Sequence, residues 1–258
     1  MPGRLIDQGA IVTGCSSGIG LAISKRFLNE GATVVGVDLS EDAEAALSSD
    51  RLLVVRGSVS DPSTLDAALD ELERRAGRVD VMVNNAGIQI ERTIETMTVE
   101  QFDETLAVNL RGVFLGIKHA AQRMGHGGRI VNLGSTLGLT GDALLATYSA
   151  SKAGVINLTS SAAAAYGPRG IRVNCVCPGA VRTGLTMRMW NLSDDPAAAR
   201  KAMESGYPLG RIVEPDEIAS SVLFLATEES SAVTGASLVV DCGLTSASGV
   251  YALIKDQL

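Results

Sequence analysis

Tyr148 and Lys152 lie four residues apart in the segment Tyr-Ser-Ala-Ser-Lys, downstream of Ser135. On a helix, this spacing places the phenol and the ammonium on one face. A free tyrosine ionises near pH 10, so a neighbouring cation is expected to lower its pKa towards the range useful for proton transfer. The pair therefore predicts a group that takes a proton from an alcohol or returns one to a carbonyl. A solvated helix face is the alternative.

A glycine-rich turn lies near the N-terminus, between a short apolar run and a helical pattern. The run Ala10–Val12 leads into Gly14, and Gly18 and Gly20 follow at the spacing Gly-x-x-x-Gly-x-Gly. Between a strand and a helix, such glycines let the backbone approach a pyrophosphate, and the helix N-terminus offers free N–H groups. The turn predicts a dinucleotide site, with a purely structural turn as the alternative.

Asp38 ends a second apolar run, Thr33–Val37. It follows Gly20 by about 20 residues, the offset at which an acid meets the adenosine ribose. A carboxylate there accepts hydrogen bonds from the ribose hydroxyls and repels a 2′-phosphate. Ser17 is not basic, and no arginine or lysine follows Asp38 at once. The sequence thus favours NAD over NADP, unless Asp38 merely caps the next helix.

Together these motifs resemble those of the single-domain branch of the short-chain dehydrogenase/reductase family. The resemblance runs from about Gly9 to Gly243, and the motifs occur in the family's order. They are Thr13-Gly14-x-x-x-Gly18-x-Gly20, Asn84-Asn85-Ala86-Gly87, Asn109, Ser135, Tyr148-x-x-x-Lys152 and Pro178-Gly179.

The resemblance implies catalytic roles for four residues. Tyr148 would be the general acid/base, and Lys152 would lower its pKa and also bind the nicotinamide ribose. Ser135 would hold the substrate oxygen and stabilise the charge that develops there. Asn109 would distort its helix locally and help to position Lys152 through water.

The resemblance also implies a set of cofactor contacts. Ser58 stands where the family usually has an aspartate, which predicts weaker adenine binding, and Cys242 replaces a common glycine. Polar Asn84 is expected to bridge neighbouring strand ends. The expected cofactor contacts are Gly14, Ser16, Ser17, Gly18, Ile19, Gly20, Asp38, Leu39, Ser58, Val59, Asn85, Ala86, Gly87, Tyr148, Lys152, Pro178, Gly179, Val181 and Thr183.

The segment from about 184 to 211 is expected to form a lid over the substrate. Its apolar residues favour a hydrophobic substrate, such as an alicyclic or steroid-like secondary alcohol or ketone, although ordinary helix packing is the alternative. The expected substrate pocket consists of Gln89, Ser135, Leu137, Leu144, Tyr148, Met187 and Trp190.

The composition is that of a globular α/β protein: of 258 residues, 46% are hydrophobic and 20% are charged. Apolar runs of strand length alternate with helical stretches. Residues 1–258 are therefore expected to form one dinucleotide-binding catalytic domain with a single-domain Rossmann fold, a doubly wound parallel sheet of seven strands flanked by helices. Gly14, Asp38, Asn84, Ser135 and Pro178 each follow a strand and would line one crevice.

Charge and cysteine usage exclude several function classes. The net charge of −7 argues against nucleic acid or anionic membrane as a partner. No apolar stretch reaches ~18 residues, and the N-terminus lacks a signal-peptide pattern. We expect a cytoplasmic protein with no catalytic metal. Cys175 and Cys177 are expected to be buried free thiols that point to the same side of a strand.

Two rival functions and an assembly remain to be considered. A 3-oxoacyl-carrier-protein reductase would normally use NADPH, which Asp38 and the net charge disfavour. A non-catalytic dinucleotide-binding sensor or scaffold would not need Ser135, Tyr148 and Lys152 together. The apolar helices near 99–124 and 148–166 predict a homo-oligomer, a dimer or tetramer. The tail beyond Gly243 would extend an oligomer contact or reach a neighbouring active site.

Overall fold

The fold is a parallel α/β sheet, seen in a computed structural model that describes residues 3–40, 49–191 and 193–247, apart from the side chain of Met189. Within these residues the strands are β1 (Gly9–Thr13), β2 (Thr33–Asp38), β3 (Leu52–Arg56), β4 (Val81–Asn84), β5 (Arg129–Leu133), β6 (Arg172–Pro178) and β7 (Ser237–Val240). They form one seven-stranded sheet in the order β3-β2-β1-β4-β5-β6-β7, and every neighbouring pair is parallel. The predicted Rossmann fold is confirmed.

Helices cover both faces of this sheet. They are α1 (Gly18–Asn29), α2 (Pro62–Ala76), α3 (Val99–Leu106), α4 (Gly112–Arg123), α5 (Ala146–Tyr166), α6 (Gly184–Asn191), α7 (Pro196–Glu204) and α8 (Pro215–Leu225). One core packs α1 and α8 against the sheet, and the other packs α2, α4 and α5 against the opposite face. Successive side chains of β1 point to opposite faces of the sheet and so belong to different cores. Ala10 and Val12 pack in the first core, and Ile11 packs in the second.

The helix expected over 99–124 is interrupted. A π-helical segment, Ala107–Arg111, lies between α3 and α4. Such segments are rare and occur mostly at functional sites. In the segment expected to be a lid, the chain forms two short helices, α6 and α7. Among the described residues, no helix combines the length and apolar character needed to cross a membrane. The tail at 248–258 lies outside the described residues.

Buried polar groups join the middle of the sheet to α5. The Asn84 amide donates to Asn132 Oδ1 over 2.8 Å, and the Asn132 amide donates to Thr159 Oγ1 over 2.9 Å. Asn84 therefore bridges strand ends as predicted. Cys175 and Cys177 are free thiols on the same side of β6, with their sulfur atoms 3.8 Å apart.

Gly116 allows α4 to lie close to this bridge. A Cβ atom added at Gly116 would overlap Asn84 Oδ1 and lie 2.8 Å from the Met82 methyl carbon. The helix can thus approach β4 only where it has no side chain, which is the reason for a glycine inside α4.

Gly116→Ala is expected to lower the free energy of unfolding by about 1–3 kcal/mol. Overpacking and displacement of a buried amide each cost about 1–3 kcal/mol, more than the ~1 kcal/mol gained in helix propensity. Urea denaturation measures the change. Gly125→Ala is the control, because nothing lies within 4 Å of its added Cβ. Equal stability of the two variants would contradict this packing constraint.

Candidate active site

Two adjoining cavities open beyond the carboxyl ends of the strands. The larger, here the glycine-turn cleft, has a volume of ≈740 Å³ and runs from the end of β2 past the β1–α1 turn to α6. The smaller, here the tyrosine cavity, has a volume of ≈330 Å³ and contains Ser135, Tyr148 and Lys152. Residues of the turn, of the loop after β4 and of α6 line both cavities. A ligand in the cleft would therefore lie against a ligand in the tyrosine cavity.

The glycine turn is built by close backbone contacts. Gly14 and Gly18 have φ of 67° and 51°, a left-handed conformation that favours glycine. A Cβ at Gly20 would overlap the Gly14 carbonyl oxygen, so Gly20 lies under the turn and does not line the cleft. The turn exposes its backbone to the cleft, as a pyrophosphate site requires.

Asp38 is held rigidly at the other end of the cleft. Its Oδ2 accepts a hydrogen bond from the Ser16 N–H over 2.9 Å, and its Oδ1 accepts one from the Ser40 N–H over 3.0 Å. Ser58 lines the same end, and its hydroxyl lies 2.8 Å from that of Ser60. An exposed glycine turn with a carboxylate beside it fits an adenosine ribose and a pyrophosphate.

The expected cofactor residues are divided between the two cavities. Gly20 alone lines neither. The residues that line the glycine-turn cleft are Gly14, Ser16, Ser17, Gly18, Ile19, Asp38, Leu39, Ser58, Val59, Asn85, Ala86, Gly87 and Thr183. Those that line the tyrosine cavity are Ile19, Asn85, Gly87, Tyr148, Lys152, Pro178, Gly179, Val181 and Thr183.

Ser135, Tyr148 and Lys152 are brought together by β5 and α5. Ser135 follows β5 and accepts a hydrogen bond from the Leu137 N–H over 3.1 Å. The Lys152 ammonium lies 5.5 Å from the centroid of the Tyr148 ring and donates to the Leu133 carbonyl over 2.8 Å. The three side chains thus line one cavity, with the ammonium of Lys152 beside the ring of Tyr148.

The expected lowering of the Tyr148 pKa does not hold for the protein alone. Burial raises the pKa of the Tyr148 phenol, and its interaction with the Ser135 hydroxyl only partly opposes this. Burial also lowers the pKa of Lys152 from 10.5 to about 8. Desolvation disfavours the charged form of both groups. Because the sequence does not show desolvation, it predicted the wrong direction for the tyrosine.

Asn109 is a fully buried residue in the π-helical segment. Its Oδ1 accepts from the Ile88 N–H over 2.8 Å, while its amide donates to the Ile88 carbonyl over 2.9 Å and to Ser151 Oγ over 3.2 Å. A Cβ at Gly87 would lie 3.3 Å from Asn109 Oδ1 and 3.6 Å from Lys152 Nζ. The predicted local distortion is present, and Asn109 fixes the loop after β4. Its link to Lys152 through water stays a prediction.

The expected substrate pocket needs correction. Gln89 and Leu137 line the tyrosine cavity, whereas Leu144, Met187 and Trp190 do not. The Leu144 and Met187 side chains are 50% and 39% exposed, and Trp190 is buried against Tyr207 and Ile212. Further lining residues are Thr136, Asp142, Leu145, Ala180, Leu185, Thr186, Met203, Tyr207 and Leu244.

These errors have a common origin. Leu144 and Leu145 are adjacent, and only the start of α5 at Ala146 determines which of them faces inwards. In the same way, the orientation of α6 decides which of its residues face the cavities. Sequence analysis also missed Arg188 of α6, which lines the glycine-turn cleft. A basic residue within the predicted lid was the available signal.

Comparison with known proteins gives consistent matches. The profile of the family described as Enoyl-(Acyl carrier protein) reductase matches residues 14–245. The cis-4-hydroxycyclohexanecarboxylate dehydrogenase of Sinomonas cyclohexanicum is 39% identical over 247 residues, covering 93% of this chain and 97% of the relative. The 3-oxoacyl-[acyl-carrier-protein] reductase of Thermotoga maritima is 37% identical over 249 residues, covering 93% and 99%.

A solved structure has the same fold. The crystal structure of levodione reductase superposes with a TM-score of 0.90 at 32% sequence identity. The match covers 95% of this chain and 100% of that chain. The two chains therefore share their fold over nearly their whole length.

Lys152→Met is expected to remove a pH-dependent part of the stability. The pKa of Lys152 is about 8 when folded, against 10.5 unfolded. Between these values the unfolded state binds more protons, so wild-type stability rises with pH. The full rise is on the order of 3 kcal/mol.

Urea denaturation of both proteins from about pH 7.5 to about pH 10 measures this effect. The same pair is also compared in a Tyr148→Phe background, because ionisation of the phenol is coupled to Lys152 and would otherwise contribute to the difference. The stability of the wild type relative to the variant should increase as the pH rises. A difference that is constant over this range would show that Lys152 is not desolvated.

Proposed function

The chain belongs to the short-chain dehydrogenase/reductase family, and on that basis we propose that it is an NAD-dependent oxidoreductase for a hydrophobic secondary alcohol and its ketone. Members of this family related to the chain are oxidoreductases that act on a CH–OH group, and so is this protein. The main support for the proposed reaction is that Ser135, Tyr148 and Lys152 line one cavity, and that this cavity adjoins the glycine-turn cleft.

The side chains around the tyrosine cavity provide the proton transfer. The phenol of Tyr148 takes the proton of the alcohol oxygen, or returns it to the ketone oxygen. The Ser135 hydroxyl donates a hydrogen bond to the same oxygen, and the Lys152 ammonium favours the phenolate. A bound nicotinamide would supply the hydride acceptor or donor, held by the glycine turn, Asp38 and the loop after β4.

Asp38 supports NAD over NADP. Its carboxylate is fixed by two backbone amides at the end of the cleft where a ribose would lie. A fixed negative charge there repels a 2′-phosphate. Arg188, a second charged residue among the described residues that line the cleft, lies on α6 and not on β2. NADP is the less favoured cofactor.

The tyrosine cavity supports a compact, mainly apolar substrate. The charged residues that line it are Asp142 and Lys152, and apolar residues such as Leu137, Leu145 and Met203 form much of the rest. Its volume of ≈330 Å³ lies at the small end of ligand pockets, about 300–1,000 Å³. This favours an alicyclic alcohol over a larger hydroxysteroid. The ring alcohol in the name of the Sinomonas relative supports the same class.

One observation favours the alternative function, a 3-oxoacyl-carrier-protein reductase: the relative from Thermotoga maritima has that name. Against it stand Asp38 and the net charge of −7, which do not suit NADPH or an acidic carrier protein. A binding-only sensor or scaffold is disfavoured because it has no need of an assembled Ser135, Tyr148 and Lys152. We place the protein in the cytoplasm, where its free cysteines stay reduced.

Reduced-nicotinamide absorbance tests the proposal. The protein is mixed with NAD⁺ or NADP⁺ and with pooled secondary alcohols, which are alicyclic, steroidal, short aliphatic or 3-hydroxyacyl. We expect turnover with NAD⁺ and the alicyclic pool. Turnover confined to NADP⁺ and the 3-hydroxyacyl pool would favour the reductase rival instead.

Tyr148→Phe is expected to lower turnover by at least ~100-fold, because general acid/base catalysis contributes about 10²–10⁴. NAD⁺ affinity should change little, since the hydroxyl acts on the substrate. Calorimetric titration and the absorbance assay measure the two quantities. Tyr166→Phe is the matched control, because Tyr166 ends α5 and does not line either cavity. Full activity of Tyr148→Phe would contradict the proposed acid/base.

We also propose that a second copy of the chain covers the groove between α3, α4 and α5. This groove contains exposed Phe114 with Leu110 and Leu158, and also Asp103 and Glu104. Arg111 lines it without a hydrogen-bond or ion-pair partner among the described residues. Across a two-fold axis, the acids and the arginine of two copies can pair. The proposed assembly is a dimer or a tetramer.

Phe114→Glu is expected to shift the protein to a smaller species in sedimentation velocity at micromolar concentration. A carboxylate at this position would be buried against a second copy without a partner. Lys25→Glu, exposed on α1 at the opposite face of the sheet, is the control and should leave the assembly intact. If the wild type sediments as a monomer, the proposed interface is wrong.

A further inference from the structure

Arg188 is the cation of the glycine-turn cleft. Among the residues that the structure describes, the charged ones that line it are Asp38 and Arg188. Asp38 is held at the β2 end by the Ser16 and Ser40 amides. Arg188 lies on α6, and the sequence motifs assigned it no role. Arg188 thus brings a positive charge to a cleft that fits a doubly negative pyrophosphate.

Arg188 differs from the other arginines of the segment 182–211. Arg182 pairs with Glu214 and Glu204, and Arg200 shares Glu204. Arg211 pairs with Glu217. The Arg188 side chain has no hydrogen bond or ion pair to any residue that the structure describes. Among these four arginines, it is thus the one whose charge remains available to a ligand.

The position of α6 brings Arg188 to the cleft beside the glycine turn. A Cβ at Gly18 would lie 3.1 Å from Thr183 Cγ2, so the chain entering α6 touches the glycine turn. Gly184 and Arg188 are four residues apart, on one helical face, and both line the cleft. This face of α6 therefore borders the cleft, and the chain that leads into it borders the turn, where a pyrophosphate would lie.

The same helix also forms part of the tyrosine cavity. Leu185 lines both cavities, and Thr186 lines the tyrosine cavity. Arg188 does not line the tyrosine cavity. Any interaction that fixes Arg188 will therefore also fix Leu185 and Thr186 against the substrate, although the arginine itself does not touch it.

We propose that Arg188 binds the pyrophosphate of the dinucleotide and thereby holds α6 in place as one wall of the substrate cavity. The inference rests on the proposed dinucleotide binding. A guanidinium suits this task because it binds phosphate oxygens with two parallel N–H donors. Arg188 is a binding residue for the cofactor and a positioning residue for the substrate.

Calorimetric titration of Arg188→Gln, Arg188→Lys and the wild type tests the pyrophosphate contact. The ligands are NAD⁺, ADP-ribose, ADP and adenosine, of which only adenosine lacks a pyrophosphate. For the first three, Arg188→Gln should raise Kd by about 10- to 100-fold, as expected for a hydrogen-bonded charge pair. Adenosine should bind the wild type and both variants with equal affinity. Arg188→Lys should recover part of the loss, which a purely structural side chain would not do.

Lys201→Gln is the matched control. It removes one positive charge from α7, and Lys201 is exposed and lines neither cavity. It should leave every Kd unchanged, so that a general electrostatic effect of net charge is separated from a contact. An equal loss in Lys201→Gln and Arg188→Gln would overturn the proposal.

The single tryptophan of the chain, Trp190, reports the positioning of α6. Saturating ADP-ribose should change its fluorescence in the wild type and much less in Arg188→Gln. In the alcohol oxidation assay, this variant should also show a raised KM for the alcohol at saturating NAD⁺. Unchanged fluorescence in the wild type would contradict the positioning role.

Two failures can be told apart. A wild type that binds none of the pyrophosphate ligands would overturn the proposed function and this inference together. If the wild type binds NAD⁺ and ADP-ribose, and Arg188→Gln binds them equally well, the inference alone is wrong. An unchanged dinucleotide Kd with a raised KM for the alcohol would assign Arg188 to the substrate instead.

Discussion

The close contact between the β1–α1 turn and the loop after β4 is the constraint on which the site depends. Gly14 and Gly20 bring the turn together, and Thr13 Oγ1 accepts hydrogen bonds from the Asn85 and Ala86 amides, each over 3.0 Å. The Asn85 side chain donates to the Thr13 carbonyl over 2.9 Å. This loop then continues past both cavities. The position of one cavity relative to the other is therefore fixed by close backbone contacts together with hydrogen bonds of the Thr13 and Asn85 side chains.

The same loop also links the glycine turn to α5. Asn109 holds Ile88 through two hydrogen bonds and reaches Ser151, the residue before Lys152. A regular helix turn at 107–111 would place the Asn109 side chain differently. The π-helical segment therefore serves to position Asn109 against this loop. Glycine turn, loop, Asn109 and α5 thus form one continuous chain of contacts, and Tyr148 stands at its end.

The strands and the motif residues could be predicted because each has a local signal. Continuous apolar runs mark strands that are buried on both faces, and polar or glycine residues at their ends mark the crevice. Leu144, Met187 and Trp190 were misplaced because their orientation depends on how α5 and α6 pack, not on local pattern. The Tyr148 pKa was predicted in the wrong direction because it depends on desolvation by residues distant in sequence. Arg188 has no motif, and only its unpaired state in the folded chain distinguishes it.

Desolvation also explains why the site needs help from remote contacts. Burial favours the neutral forms of Tyr148 and Lys152, so the protein environment by itself favours the protonated phenol. Accepting a proton from an alcohol requires the charged form, which the surroundings disfavour. Binding free energy from distant parts of a ligand can offset such a cost if it is used to orient the reacting groups. The helix α6 joins the two cavities, so it is the element through which contacts in the glycine-turn cleft can act on the substrate.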